Sequence, residues 1–151
     1  MNYTIFLDEK KIGVSKLEKA DAPMGIVFGK ISFVEESLNY EFFINYCRTN
    51  SIEVDYDSPE DKLIISQIIP KLKVFNEKEM EIKGLGSYIS GVDSEGFEIS
   101  IIGIPYPFYE EEFPNHVKEY NEKFGQQNET NQSLSATTTA NKELCLKTNK
   151  N

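Results

Sequence analysis

The single histidine of this 151-residue chain, His116, follows three consecutive glutamates, Glu110, Glu111 and Glu112. A carboxylate beside an imidazole can move protons near neutral pH, so Glu112 with His116 is a candidate general acid–base pair, with Asp93 or Glu95 as a further neighbour. The competing reading is an exposed histidine in the first turn of a helix, with the glutamates solvated beside it. One histidine excludes any two-histidine mechanism and any two-histidine zinc site. Neither Ser87 nor Ser90 stands in a pattern that activates a nucleophile.

A second constellation is the acidic alternation Glu53, Asp55 and Asp57, interleaved with Ile52, Val54 and Tyr56. A strand puts alternate residues on one face, roughly 6.6–6.8 Å apart, so these three carboxylates form a ribbon. The spacing does not match the twelve-residue ligand pattern of a calcium loop. Three readings compete: a solvated strand face, an acidic docking face for a basic partner, and a divalent-cation site of another pattern, with Glu60 and Asp61 following the ribbon.

The third is Pro105 to Pro114, with four aromatics and three carboxylates in ten residues pinned by three prolines. Rigid aromatics offer contact area at low entropy cost, which suits recognition better than catalysis. Phe108 and Phe113 are assigned to the core. Tyr106 and Tyr109, with Glu110 and Glu111, are candidates for an exposed binding edge.

Familiar signatures are missing. The sequence holds no phosphate-binding glycine loop, no dinucleotide fingerprint, no metalloprotease helix motif and no nucleophile elbow. No cofactor and no metal is expected. Sixteen Lys and Arg against 25 Asp and Glu give a net charge of −9. Such a surface repels nucleic-acid phosphates and anionic membranes, and no apolar run approaches the length of a membrane span. The N-terminus lacks a secretory pattern, and two cysteines, Cys47 and Cys145, are too few for a disulfide framework. A cytoplasmic protein is expected.

The elements that must carry these residues follow from periodicity. Strands are expected at Tyr3–Leu7, around Ile12–Val14, over Gly25–Val34, Ser51–Asp57, Leu72–Phe75, Glu79–Lys83, Ser87–Val92 and Phe97–Ile104. Gly29 marks a close backbone approach or a bulge. Leu38, Phe42, Phe43, Tyr46 and Cys47 share one face of a helix, which Asn50 can stop in a left-handed conformation. Ser58-Pro59-Glu60-Asp61 reads as a helix start, leading Leu63 to Ile69 into a short buried helix ended by Pro70. Pro114 opens a last helix with Val117, Tyr120 and Phe124 on one face. Asp93–Gly96 is a hairpin loop. The sum is an α+β domain, a mainly antiparallel sheet with two or three helices packed on it. Its core is expected to include Ile5, Val27, Phe33, Phe42, Phe43, Tyr46, Val54, Ile65, Phe97, Ile99 and Ile101.

The composition changes after Gly125. From Gln126 to Asn151, 15 of 26 residues are Asn, Gln, Ser or Thr, and all 18 Phe and Tyr precede it. Residues 1–125 are therefore read as one domain and 126–151 as a disordered polar tail. The body then holds 23 acidic and 13 basic residues, a net charge of −10.

Leu17–Ile31 and Ser90–Val117, the latter running through Ile104-Pro105-Tyr106-Pro107-Phe108-Tyr109, resemble a family of small uncharacterised bacterial proteins. The resemblance implies a bacterial, cytosolic, stand-alone domain, and it carries no site residue. Size, charge and missing catalytic motifs point to an acidic binding protein with a basic protein partner. An immunity protein that neutralises a basic toxin has this character. The alternative is a small enzyme using Glu112 and His116.

Overall fold

The structure, a computed structural model, describes residues 1–125. The expected disordered tail, and Cys145 within it, lie outside the described residues. The chain divides into two compact units, the first Met1–Glu112 and the second beginning at Phe113.

The first unit holds nine strands: β1 (Tyr3–Leu7), β2 (Lys10–Ser15), β3 (Lys19–Asp21), β4 (Ile26–Phe33), β5 (Val54–Ser58), β6 (Leu63–Ser66), β7 (Leu72–Phe75), β8 (Gly86–Val92) and β9 (Gly96–Ile102). Helix α1 (Tyr40–Thr49) and the one-turn α2 (Phe108–Glu112) accompany them. Helix α3, residues 114–125, belongs to the second unit, where the Tyr120 and Phe124 rings meet at 4.8 Å. The α+β class with a mainly antiparallel sheet is as the periodicity implied.

The strands hydrogen-bond in the order β5-β6-β8-β9-β4-β2-β1-β7, with β3 beside β4, and every pairing is antiparallel. This order forces the sheet to curl. β6 and β7 stand six strand spacings apart, about 29 Å if flat, yet the six steps from Ser66 to Leu72 reach at most about 22 Å. Curling gives a concave side lined by Ile5, Val27, Val74, Ile89, Ile99 and Ile101, all buried. Cross-strand neighbours on that side include Ile5 with Val74, Val27 with Ile101 and Ile89 with Ile99. Gly29 sits where β4 passes the break between β2 and β3. A Cβ there would lie 2.8 Å from the Leu17 Cα, so the backbones approach as closely as its place in the strand suggested.

α1 crosses the concave side. Asn39 caps it, its side chain accepting from the Phe42 N–H at 3.1 Å. Asp93 of the β8–β9 hairpin accepts from the Tyr40 N–H at 2.8 Å, and Tyr46 donates to Asp8 of the β1–β2 turn at 3.1 Å. The buried face is Tyr40, Phe43, Ile44 and Cys47, with the Phe43 ring against Phe33 and Phe97. Phe42 was expected in the core and is instead 37% exposed. The helix is rotated so that Ile44 goes inward, and Phe42 lies along Tyr46 on the rim. The left-handed residue is Ser51 (φ 55), not Asn50 (φ −100).

The expected helix after Ser58 is a strand. Ser58 does hydrogen-bond Asp61 at 3.0 Å, but across the β5–β6 turn rather than at a helix start. Lys62, with φ 54, completes that turn. Leu63-Ile64-Ile65-Ser66 then alternates, with Ile64 and Ser66 buried and Leu63 and Ile65 half-buried. β-branched isoleucines fit a pleated face between β5 and β8 better than a single helical turn. Ile65, expected in the core, faces outward, and Val54, Phe33 and Tyr46, expected there too, are half-buried. The expected strand Glu79–Lys83 reduces to one bridge, Glu81 with Phe75, on the outer edge of β7.

Candidate functional site

The acidic ribbon does not survive as one face. β5 pairs with β6 through Val54–Ser66 and then Tyr56–Ile65, so Asp55 is an extra, bulged residue. The bulge reverses the alternation. Asp55 and Tyr56 both turn to the convex side, where Gln67 donates its side-chain N–H to Asp55 at 3.0 Å. Asp57, opposite buried Ile64, turns under α1, where it accepts the Tyr40 hydroxyl and lies 3.8 Å from Arg48. The hydrogen bond to Asp57, with burial, pushes the Tyr40 phenol up to about 12. Glu53 precedes the strand and is exposed, its carbonyl accepting from Gln67 at 3.0 Å. An exposed edge strand is a template for unwanted pairing, and a bulge with acidic side chains guards it.

The convex face beside β5 carries the structure's second surprise. Tyr56 is 53% exposed and Ile68 41%, and half-buried Ile65, Tyr88 and Ile102 continue the same surface across β6, β8 and β9. Asp55, Gln67, Ile65, Ile68, Tyr88 and Ile102 outline a shallow groove of about 500 Å³. Aromatic and aliphatic area with a carboxylate at its margin is the composition of a protein-binding surface. A larger groove, about 790 Å³, lies on the convex side of β1 and β7 around Phe6 and Phe75. It is lined by charges of both signs, Lys71 and Lys73 with Asp8, Glu9 and Glu79, and so selects no one ligand charge.

The proline-pinned segment is partly structural. Tyr109, expected to be exposed, is fully buried and donates to the Ile26 carbonyl at 3.0 Å. Burial pushes its phenol well above the ordinary range. Tyr106 is 48% exposed, stacks on Tyr109 at 5.2 Å and donates to the Ala22 carbonyl at 2.8 Å. The two rings fasten the chain after β9 to the start of β4. Glu110 and Glu111 are exposed, Phe113 is buried as expected, and Phe108 is half-buried.

The proposed acid–base pair is likewise drawn into architecture on its acidic side. Glu112 accepts the Tyr3 hydroxyl and the Asn76 side-chain N–H, both at 3.1 Å. Asn76, itself buried, uses its carbonyl oxygen to take the N–H groups of Lys78 and Met80 at 2.9 Å each. Tyr3, Glu112 and Asn76 thus lock α2 to β1 and to the end of β7. Burial first, and Glu112 second, raise the Tyr3 phenol far above its usual value. His116 lies in α3 of the second unit, its ring 5.8 Å from that of Phe113. Cys47 is a buried free thiol whose pKa burial raises, as core packing requires.

Comparison with family models, with curated proteins and with solved structures gave no match. Among the described residues, no group of three or more His, Cys, Asp or Glu is placed to hold a metal ion. No helix among them is long and apolar enough to cross a membrane. Sequence reasoning missed Ile65, Ile68, Tyr88 and Ile102 as surface residues. The signal was present in Leu63–Ser66, whose four residues alternate once the segment is read as a strand. Tyr88 and Ile102 fall inside expected strands, and because both faces of a central strand can be apolar, the pattern did not set them apart as surface residues.

Proposed function

We propose that this protein is an acidic binding module that sequesters a basic protein partner on the convex face of its sheet, as a bacterial immunity protein neutralises a basic toxin. One observation carries the reading: Tyr56 stands 53% exposed on the edge strand, paired with Ile65 of β6, in a body with a net charge of −10. Tyrosine is a favoured anchor in interfaces, and the surrounding negative field speeds encounter with a positive partner. Glu53, Glu110 and Glu111, all exposed, add to that field. The resemblance of Leu17–Ile31 and Ser90–Val117 to small bacterial proteins is consistent with a cytoplasmic setting. The Glu112 and His116 enzyme reading gains no support from a carboxylate already held by Tyr3 and Asn76.

The test is retention of cytosolic or secreted proteins of the source organism on the immobilised full chain, followed by a salt series. A basic protein retained at low salt, released as salt rises and lost with Tyr56→Ala supports the reading. If the native chain retains no basic protein, or if Tyr56→Ala retains it equally, the reading fails.

A further inference from the structure

The groove beside β5 contains a single carboxylate, and the chain goes out of its way to put it there. Without the bulge, strict alternation would leave Asp55 on the opposite side from Tyr56; the extra residue turns both to the convex face. Asp55 accepts from Gln67 on one oxygen, Oδ1, and makes no ion pair among the described residues. Its second oxygen therefore keeps its accepting capacity. Gln67, having donated through Nε2, keeps its carbonyl oxygen as a second acceptor. The remaining walls are the Tyr88 ring and the aliphatic side chains of Ile65, Ile68 and Ile102.

Two acceptors side by side, one of them charged, favour a cation with several donors. An aromatic ring and an aliphatic wall favour one that is planar and weakly hydrated at the head and apolar along the stem. A guanidinium meets each demand, since it donates in a fixed fork, stacks on aromatic faces and loses less hydration than an ammonium. A lysine ammonium would satisfy the charge but leave the fork and the ring unused. We propose that this groove is an arginine pocket: it takes an arginine side chain of the basic partner, with the guanidinium on Asp55 and Gln67 and the stem along Ile65 and Ile102. The proposal rests on the reading of the convex face as the partner's landing surface.

The experiment titrates the full chain, with labelled isoleucine methyl and tyrosine ring positions, with N-acetyl-arginine amide and, separately, N-acetyl-lysine amide at low salt. The arginine probe should produce saturable resonance shifts at Ile65, Ile102 and Tyr88, and the lysine probe markedly smaller ones. Asp55→Asn should weaken the arginine response by about fivefold or more, because a charge-assisted hydrogen bond is lost, while its unfolding curve matches the native chain's. Equal responses to both probes, shifts elsewhere only, or an unchanged response in Asp55→Asn overturn the pocket. Retention of a basic protein through Tyr56 together with no arginine-specific shift overturns the pocket and leaves the interface standing. Arginine-specific, Asp55-dependent shifts with no basic protein retained support the pocket and remove the interface.

Discussion

Asp55 and Asp57, separated by Tyr56 alone, face opposite sides of the sheet: Asp55 meets Gln67 on the convex face, and Asp57 meets the Tyr40 hydroxyl under α1. Two like residues two positions apart thus have unlike duties. Asp57→Asn should destabilise by about 1–3 kcal/mol, because a charged acceptor of a buried hydroxyl is lost. Asp55→Asn should stay within about 0.5 kcal/mol, as exposed substitutions do. Urea unfolding of the two variants checks this, and equal losses would show that the bulge does not divide them.

Phe42 and Phe43 make a second contrasting pair. Phe43 is buried among Phe33 and Phe97, so Phe43→Ala should cost about 3–5 kcal/mol. Phe42 lies on the rim against Tyr46, and Phe42→Ala should cost about 1 kcal/mol. Midpoints of chemical denaturation decide between these values. A larger loss at Phe42 than at Phe43 would mean that α1 is rotated by a residue.

Tyr109→Ala should act on folding rather than on any partner. The ring is fully buried and its hydroxyl bonds the Ile26 carbonyl, so about 3–5 kcal/mol should be lost. Tyr109→Phe keeps the ring and should cost about 1 kcal/mol. A stable Tyr109→Ala variant with altered binding alone would contradict the buried placement.

Alkaline pH should unfold the protein through its phenols. The Tyr40 and Tyr46 phenols are raised from 10.0 to about 12, Tyr40 mainly by its bond to Asp57 and Tyr46 mainly by burial, with Asp8 second. Burial also raises Tyr3 and Tyr109. A raised folded-state value favours the neutral form in the native chain. The stability so contributed is complete below pH 10, the unfolded value, and is lost as pH climbs through about 12. Phenolate absorbance and far-ultraviolet circular dichroism, followed together, should show part of the phenolate signal arriving only with loss of structure. Complete phenolate formation near pH 10 with an unchanged dichroism spectrum would contradict it.

Much of the architecture was open to reading one residue at a time. Tyr3–Leu7 alternates cleanly because one side is buried, Gly86–Val92 and Gly96–Ile102 are rich in residues that favour strands, and Asp93–Gly96 supplies the turn between the last two. α1 was legible as a helix from its apolar spacing, although its inward face, with Ile44 in place of Phe42, was not. Gly29 announced a close approach because the missing side chain has no other use in mid-strand. These are local facts, fixed by backbone geometry and side-chain periodicity.

What tertiary structure alone decided was partnership. Ser58 and Asp61 hydrogen-bond each other in a helix start or a hairpin turn alike, and only pairing between β5 and β8 makes Leu63–Ser66 a strand. The bulge at Asp55 depends on the register that Ser66 and Ile65 impose, so no count along β5 could foresee which carboxylates share a face. Tyr109 and Glu112 looked like surface chemistry because their partners, Ile26, Tyr3 and Asn76, are at least 36 residues distant in the chain. A periodic pattern tells a residue which way it can turn; whether it meets solvent or a donor there depends on elements brought in from far along the sequence, and that information is stored in the fold.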